Sequence, residues 1–134
     1  MRRVLLVILL ISLSSCGKAP PTMAGTKWAS ALRDPDAKMR KKAVFTLGNI
    51  GPSDPAVLPA LIRALKDADA GVRCEAILAL LKCDPEAREA IPDLTQAQER
   101  DRDAKVRAYC TKVLEKLKHS VPTSSRRFAQ GEIW

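Results

Sequence analysis

The amino-acid sequence predicts an all-α fold: a right-handed α-solenoid of about three stacked helical hairpins. A ten-residue pattern carries most of this expectation. It occurs as Asp34-Pro-Asp-Ala-Lys-Met-Arg-Lys-Lys-Ala43, as Asp67-Ala-Asp-Ala-Gly-Val-Arg-Cys-Glu-Ala76 and as Asp101-Arg-Asp-Ala-Lys-Val-Arg-Ala-Tyr-Cys110, with the first Asp recurring after 33 and then 34 residues. A self-similar unit of this length is the mark of hairpins that bury their apolar faces only by stacking. Composition agrees, with 46% apolar residues but only 4% aromatics, an Ala/Leu-rich balance that suits helices better than strands.

Each copy of the pattern reads as the start of a helix. Asp36, Asp69 and Asp103 stand where a carboxylate can accept hydrogen bonds from unpaired backbone N–H groups and favour the positive end of the helix dipole. Met39, Val72 and Val106 open an apolar stripe, continued four residues on by Ala43, Ala76 and Cys110, then by Leu47, Leu80 and Leu114. Arg40, Arg73 and Arg107 lie early in their helices, where the dipole alone disfavours a cation. Asp34, Asp67 and Asp101 recur in step with them, so the expectation is a structural Asp–Arg ladder through the stack.

The repeated run, together with Ala43-Val-Phe-Thr-Leu-Gly-Asn-Ile50, resembles the HEAT repeat, in particular the short variety also found in phycobilin lyase-type proteins. The resemblance covers three units over residues 26–118 and implies a helical scaffold. Repeat 3 departs from it in a polar first helix, Thr95-Gln-Ala-Gln-Glu-Arg-Asp101, which also fits a terminal cap.

The N-terminus carries a different signal. Arg2 and Arg3 precede the apolar run Val4–Leu13, which is ten residues long, well short of the roughly 20 that a spanning helix needs. Leu13-Ser-Ser-Cys16 closes it. This end resembles the bacterial lipoprotein signal: residues 1–15 are then a signal peptide, and Cys16 is the lipidation site. The resemblance implies cleavage before Cys16, a thioether-linked diacylglycerol, and N-acylation by a fatty acid such as palmitate. Gly17 is not the Asp that retains such proteins at the inner membrane in Gram-negative bacteria. The expected location is therefore the bacterial cell envelope, lipid-anchored at the periplasmic face of the outer membrane. The net charge of +8 would lose two units with Arg2 and Arg3. The remaining basic balance favours anionic surfaces without sequence-specific recognition.

Taken in order, residues 16–25 read as a tether, with Pro20 and Pro21 extended and Gly17 and Gly25 breaking helices. A first helix is expected over Lys27–Arg33, with Trp28 and Leu32 inward. The second follows Asp36 and stops near Ile50, before Gly51 and Pro52. Asp54-Pro55 reads as cap and first position of a third helix reaching Lys66. Pro59 falls inside that span, which predicts a kink, repeated at Pro92. A fourth helix is expected over Ala70–Lys82, a fifth opening at Asp84-Pro85, and a sixth from Asp103 to Lys118. Residues 119–134 lack an apolar period and read as a flexible tail whose Phe128, Ile133 and Trp134 could dock.

Catalytic and metal signals are weak. His119 is the one histidine, and the four cysteines show no C-x₂-C spacing. Cys83 and Cys110 read as small buried hydrophobes, Cys74 as a residue of the outer face. Gly48-Asn-Ile-Gly51 lacks the Lys-Ser/Thr of a phosphate loop. The expectation is no catalytic residue, no metal, no cofactor and no enzyme.

The outward wedge of the second helices is more informative. It holds Lys38, Lys41, Lys42, Phe45 and Asn49 in repeat 1, with Leu78 and Lys82 among their equivalents in repeat 2, and Tyr109, Lys112 and Lys116 in repeat 3. Phe45, Leu78 and Tyr109 are the candidate apolar contacts for a partner, with Lys41, Lys42 and Lys112 at the rim. The expected function is a lipid-anchored scaffold that binds another envelope protein. The alternative is a bilin lyase-like enzyme or enzyme subunit, and nucleic-acid binding is disfavoured by export.

Overall fold

A computed structural model describes residues 20–120. Within them the chain forms α1 (Met23–Ala31), α2 (Ala37–Ile50), α3 (Val57–Ala64), α4 (Ala70–Lys82), α5 (Ile91–Arg100) and α6 (Ala104–His119), with a 3-10 turn at Glu86–Ala90 leading into α5. No strand occurs among the described residues. Helices pair as α1/α2, α3/α4 and α5/α6. The second helices of the hairpins also pack side by side, α2 on α4 and α4 on α6, and form one continuous layer. The expected lipidation site Cys16, the expected signal over 1–15 and the candidate docking residues Phe128, Ile133 and Trp134 lie outside the described residues.

The second helices start where the repeat predicts. Asp36 accepts from Lys38 N, Asp69 from Val72 N, and Asp103 from both Lys105 N and Val106 N. Gly51 ends α2 at φ 82°, a left-handed value that only glycine takes without strain. The core runs through the stack without a break. Ala43, Leu47, Ala76, Leu80 and Cys110 are fully buried and Leu114 is 3% exposed. Gly48 of α2 lies against Ala79 of α4, and an added Cβ there would stand 2.8 Å from the Ala79 Cβ. This close approach is what a side-chain-free position permits.

Met39 departs from the expected stripe. It is 39% exposed, whereas its equivalents Val72 and Val106 are completely buried. The reason is its place in the stack. Positions 72 and 79 of α4 with its C-cap Cys83, and 106, 113 and 117 of α6, form the line that faces back onto the preceding second helix, and all six are buried. The same line in α2 is Met39, Thr46 and Ile50. No second helix precedes α2 among the described residues, so Met39 is exposed and the other two are half-buried.

The ladder is present and runs between repeats. Arg40 grips Asp67 through Nε (2.8 Å) and Nη2 (3.0 Å), and Arg73 grips Asp101 at 2.8 Å through each. Each arginine also donates through Nη1 to carbonyls of its own inter-helix loop, Asp34 and Pro35 for Arg40, Asp67 and Ala68 for Arg73. One guanidinium thus fastens its own hairpin and the next. Burial pushes the Asp67 and Asp101 carboxyls up, but the arginine and the backbone N–H two residues on outweigh it, so both are held below the usual range.

The odd-numbered helices differ more from expectation. α1 begins at Met23 rather than Lys27, with Thr22 as its cap and Gly25 buried inside it. Asp54 explains both. It does not cap α3; it is 3% exposed and accepts from the Thr22 backbone N–H (3.1 Å), the Thr22 hydroxyl and Ala56 N (2.9 Å). A Cβ on Gly25 would lie 2.0 Å from its Oδ2. Gly25 is therefore a contact point for a buried carboxylate and breaks nothing. Helix α3 starts only at Val57 and stops at Ala64, before the expected Lys66. Pro59 consequently falls in the first turn, where backbone N–H groups have no partner within the helix, so it removes no helical hydrogen bond and the ground for expecting a kink is gone. Pro92 sits at the start of α5 in the same way. Asp84-Pro85 opens the 3-10 turn instead of a regular helix.

The expected tail begins in an ordered way. Helix α6 extends to His119, and Ser120 donates from its hydroxyl to Asp84 (2.7 Å). Arg88 donates to the carbonyls of Leu117 (3.2 Å) and Ser120, placing a cation at the negative end of the α6 dipole.

Candidate interaction surface

The layer of second helices turns one face inward to the core and the other to solvent. On the solvent side Phe45 is 49% and Leu78 36% exposed, two of the few large apolar side chains left uncovered. They occupy the same repeat position on adjacent helices. Lys112 holds that position in α6, so the row runs Phe45, Leu78, Lys112. Tyr109 stands nearly one turn earlier, half-buried and packed against the core. Lys112 at the end of this row and Lys41 and Lys42 beside Phe45 are exposed.

Lys82 joins this candidate surface through its contacts, beyond the residues that the helical period alone points to. Its Nζ lies 4.8 Å from the centre of the Phe45 ring and donates to Asn49 Oδ1 at 3.1 Å. It thus reaches back from repeat 2 onto repeat 1, and a cation over the ring is attracted to its π face. The signal was available in principle: Lys82 is the repeat equivalent of Asn49, and equivalent positions on stacked helices are neighbours.

The cysteines take no part in this surface. Cys83 and Cys110 are fully buried, and Cys74, expected on the outer face, is half-buried against the core because its position faces forward onto α6. Burial raises all three thiols, Cys110 to about 11. They are present as free thiols and are poor nucleophiles in this state. Clefts open on the opposite side of the stack, between α1 and α3 and between α3 and α5, lined by Arg33 and Arg63 in one and by Lys66 and Arg100 in the other. Lys66 is tied there to Asp93 at 2.9 Å. No helix among the described residues is long and apolar enough to cross a membrane.

Comparison with curated proteins finds none that matches. A family model described as HEAT repeats matches residues 26–115, which covers the three hairpins from within α1 to near the end of α6. HEAT repeats suggest a helical scaffold for protein interaction, and neither the match nor the described residues add support for a lyase-like activity. With two thirds of its length matched and every hairpin accounted for, the chain belongs to the HEAT-repeat family.

Proposed function

We propose that this protein is a lipid-anchored, non-enzymatic scaffold of the bacterial envelope that binds another envelope protein on the outer face of its second helices. The observation that carries the binding half is the pair Phe45 and Leu78, exposed at one repeat position and ringed by Lys41, Lys42, Lys82 and Lys112. An apolar centre within a charged rim matches the anatomy of a protein interface. The matching partner presents an apolar ridge with acidic flanks, the chemistry of an amphipathic helix. The anchoring half rests on Leu13-Ser-Ser-Cys16 at the end of a short apolar run. Two or three acyl chains, each buried CH₂ contributing about 0.8 kcal/mol, hold a protein firmly at a bilayer.

The test is affinity capture from detergent-solubilised envelope with the wild type, Phe45→Ala and Leu78→Ala in parallel. Both side chains point to solvent, so folding should survive. The reading requires that a protein retained by the wild type is lost, or its affinity reduced at least tenfold, in the folded variants. Equal retention by all three would place the binding site elsewhere.

A further inference from the structure

Each closed rung of the ladder has two halves, and each end of the stack displays one of them. Arg107 donates through Nη1 to its own loop carbonyls, Asp101 O at 2.7 Å and Arg102 O at 3.4 Å, as Arg40 and Arg73 do in theirs. Its guanidinium is thereby held in the ladder pose. No carboxylate meets its Nε and Nη2 among the described residues. At the other end Asp34 accepts Asp36 N at 2.8 Å, the same turn in which Asp67 accepts Asp69 N and Asp101 accepts Asp103 N, both at 2.9 Å. Arg40 donates to the Asp34 backbone carbonyl, but no arginine pairs with the Asp34 carboxylate among the described residues.

We propose that these two ends are complementary halves of one head-to-tail contact, in which the Asp34 carboxylate of a second copy of this chain seats on Arg107. A copy placed as the next repeat would bring Asp34 to Arg107 as Asp101 is brought to Arg73. An arginine fork already fixed by its own loop loses little freedom on gripping a carboxylate. Among the described residues the rest of the N-terminal end also lacks a cover, with Met39 exposed and Thr46 and Ile50 half-buried on the line that α4 and α6 bury against a preceding helix. The chain beyond Ser120 does not start near this site. Ser120 is pinned to Asp84 and Arg88 at the far end of α6, 13 residues from Arg107 and so about 20 Å away at 1.5 Å per residue.

The same comparison sets the strength. Glu115 of α6 stands where α2 has Gly48 and α4 has Leu81, the position at which Gly48 meets Ala79 of the next second helix. The C-terminal end is therefore polar, and the contact is a reversible one held by the charged rung. Because the two surfaces differ, it is heterologous and extends beyond a dimer.

The experiment is sedimentation velocity of the full chain in mild detergent, over a wide concentration range and at low and high salt. The proteins are the wild type, Asp34→Asn and Arg107→Gln. Neither variant breaks a rung within one copy and Asn retains an acceptor for Asp36 N, so Asp34→Asn should melt as the wild type does. Arg107→Gln gives up its bonds to the Asp101 and Arg102 carbonyls and should melt somewhat lower, so a native far-ultraviolet circular dichroism spectrum at the assay temperature serves as the folding control for both. Wild type should show concentration-dependent species beyond the dimer that shrink with salt. Each variant alone should lose at least tenfold in association. An equimolar mixture of the two should recover a contact between the intact Arg107 of one and the intact Asp34 of the other, and stop at a one-to-one dimer. A wild type that stays monomeric, variants that associate as it does, or a mixture that fails to pair would overturn the proposal. Loss in Arg107→Gln without loss in Asp34→Asn would also overturn it, by assigning Arg107 to another carboxylate.

Discussion

Gly48→Ala tests the close stacking of the second helices, because two effects of known sign oppose each other there. Gly48 lies in the last turn of α2, and within a helix alanine is favoured over glycine by up to about 1 kcal/mol. Were α2 loosely packed, the substitution would stabilise the protein by that amount. In this stack the new Cβ would stand 2.8 Å from the Ala79 Cβ and 3.2 Å from its Cα. Both atoms belong to a helix backbone or its first carbon, so no flexible side chain can swing aside and the helices themselves must shift. Overpacking of this kind costs about 1–3 kcal/mol. The clash should match or exceed the propensity gain, leaving the variant up to about 2 kcal/mol less stable. At this size each kcal/mol moves the melting temperature by about 4–8 °C. The companion variant is Ala79→Gly, which removes the opposing carbon. Alone it should destabilise, but combined with Gly48→Ala it should relieve the clash, giving a favourable coupling of about 1 kcal/mol. Urea and thermal unfolding followed by far-ultraviolet circular dichroism measure all four corners of the cycle. A Gly48→Ala protein that melts higher than wild type, with the two substitutions additive, would refute the packing argument.

Other outcomes follow from the same structure. Leu80→Ala removes a fully buried side chain from the middle hairpin and should cost about 2–5 kcal/mol, seen as a lower urea midpoint. Gly25→Ala should destabilise sharply, since its Cβ would collide with the buried Asp54 carboxylate, and Asp54→Ala should relieve that collision in the double variant. Asp54 is held below the usual carboxylate range by the Thr22 hydroxyl first and by the Ala56 N–H, against the opposing effect of burial. Asp67 and Asp101 are also lowered. Groups whose folded pKa is depressed stabilise above their unfolded value, about 3.9 for Asp. Melting temperature should therefore be lost as pH falls below about 4 and on through the folded-state values, and Asp101→Asn should flatten the loss. Cys16→Ala should abolish incorporation of labelled fatty acid and shift the protein out of the detergent phase; a wild type that incorporates none would end the lipoprotein reading.

The second helices were legible because each begins with the same chemistry. Asp36, Asp69 and Asp103 cap local N–H groups, and a local interaction leaves its full signature in a short stretch of residues. The ladder was legible as a recurrence, but its pairing of Arg40 with Asp67 instead of Asp34 depends on how the hairpins stack. The odd-numbered helices misled for the opposite reason. Asp54 looks like a local cap, yet its carboxylate is engaged by Thr22, 32 residues away. Once that bond is taken into account, the late start of α3, the first-turn place of Pro59 and the helical Gly25 follow together. Met39 failed for want of a neighbour: the stripe is periodic, but burial needs a helix on the other side. On the interaction surface, Phe45 and Leu78 were readable from helical period alone. The packing of Tyr109 against the core and the reach of Lys82 over Phe45 were not, since both depend on the distance between adjacent repeats.

The central claim, that the outer face of the second helices is where this scaffold holds its partner, is tested most directly by site-specific photo-crosslinking in the native envelope. A photoreactive side chain would replace Phe45, Leu78 or Lys112 on that face, and Arg63 or Gln96 on the first helices. All five positions are solvent-exposed, so the substitutions leave the core intact. The account predicts that one and the same protein is trapped from positions 45, 78 and 112 and not from 63 or 96. Adducts confined to 63 and 96, with none from the second-helix row, would contradict it.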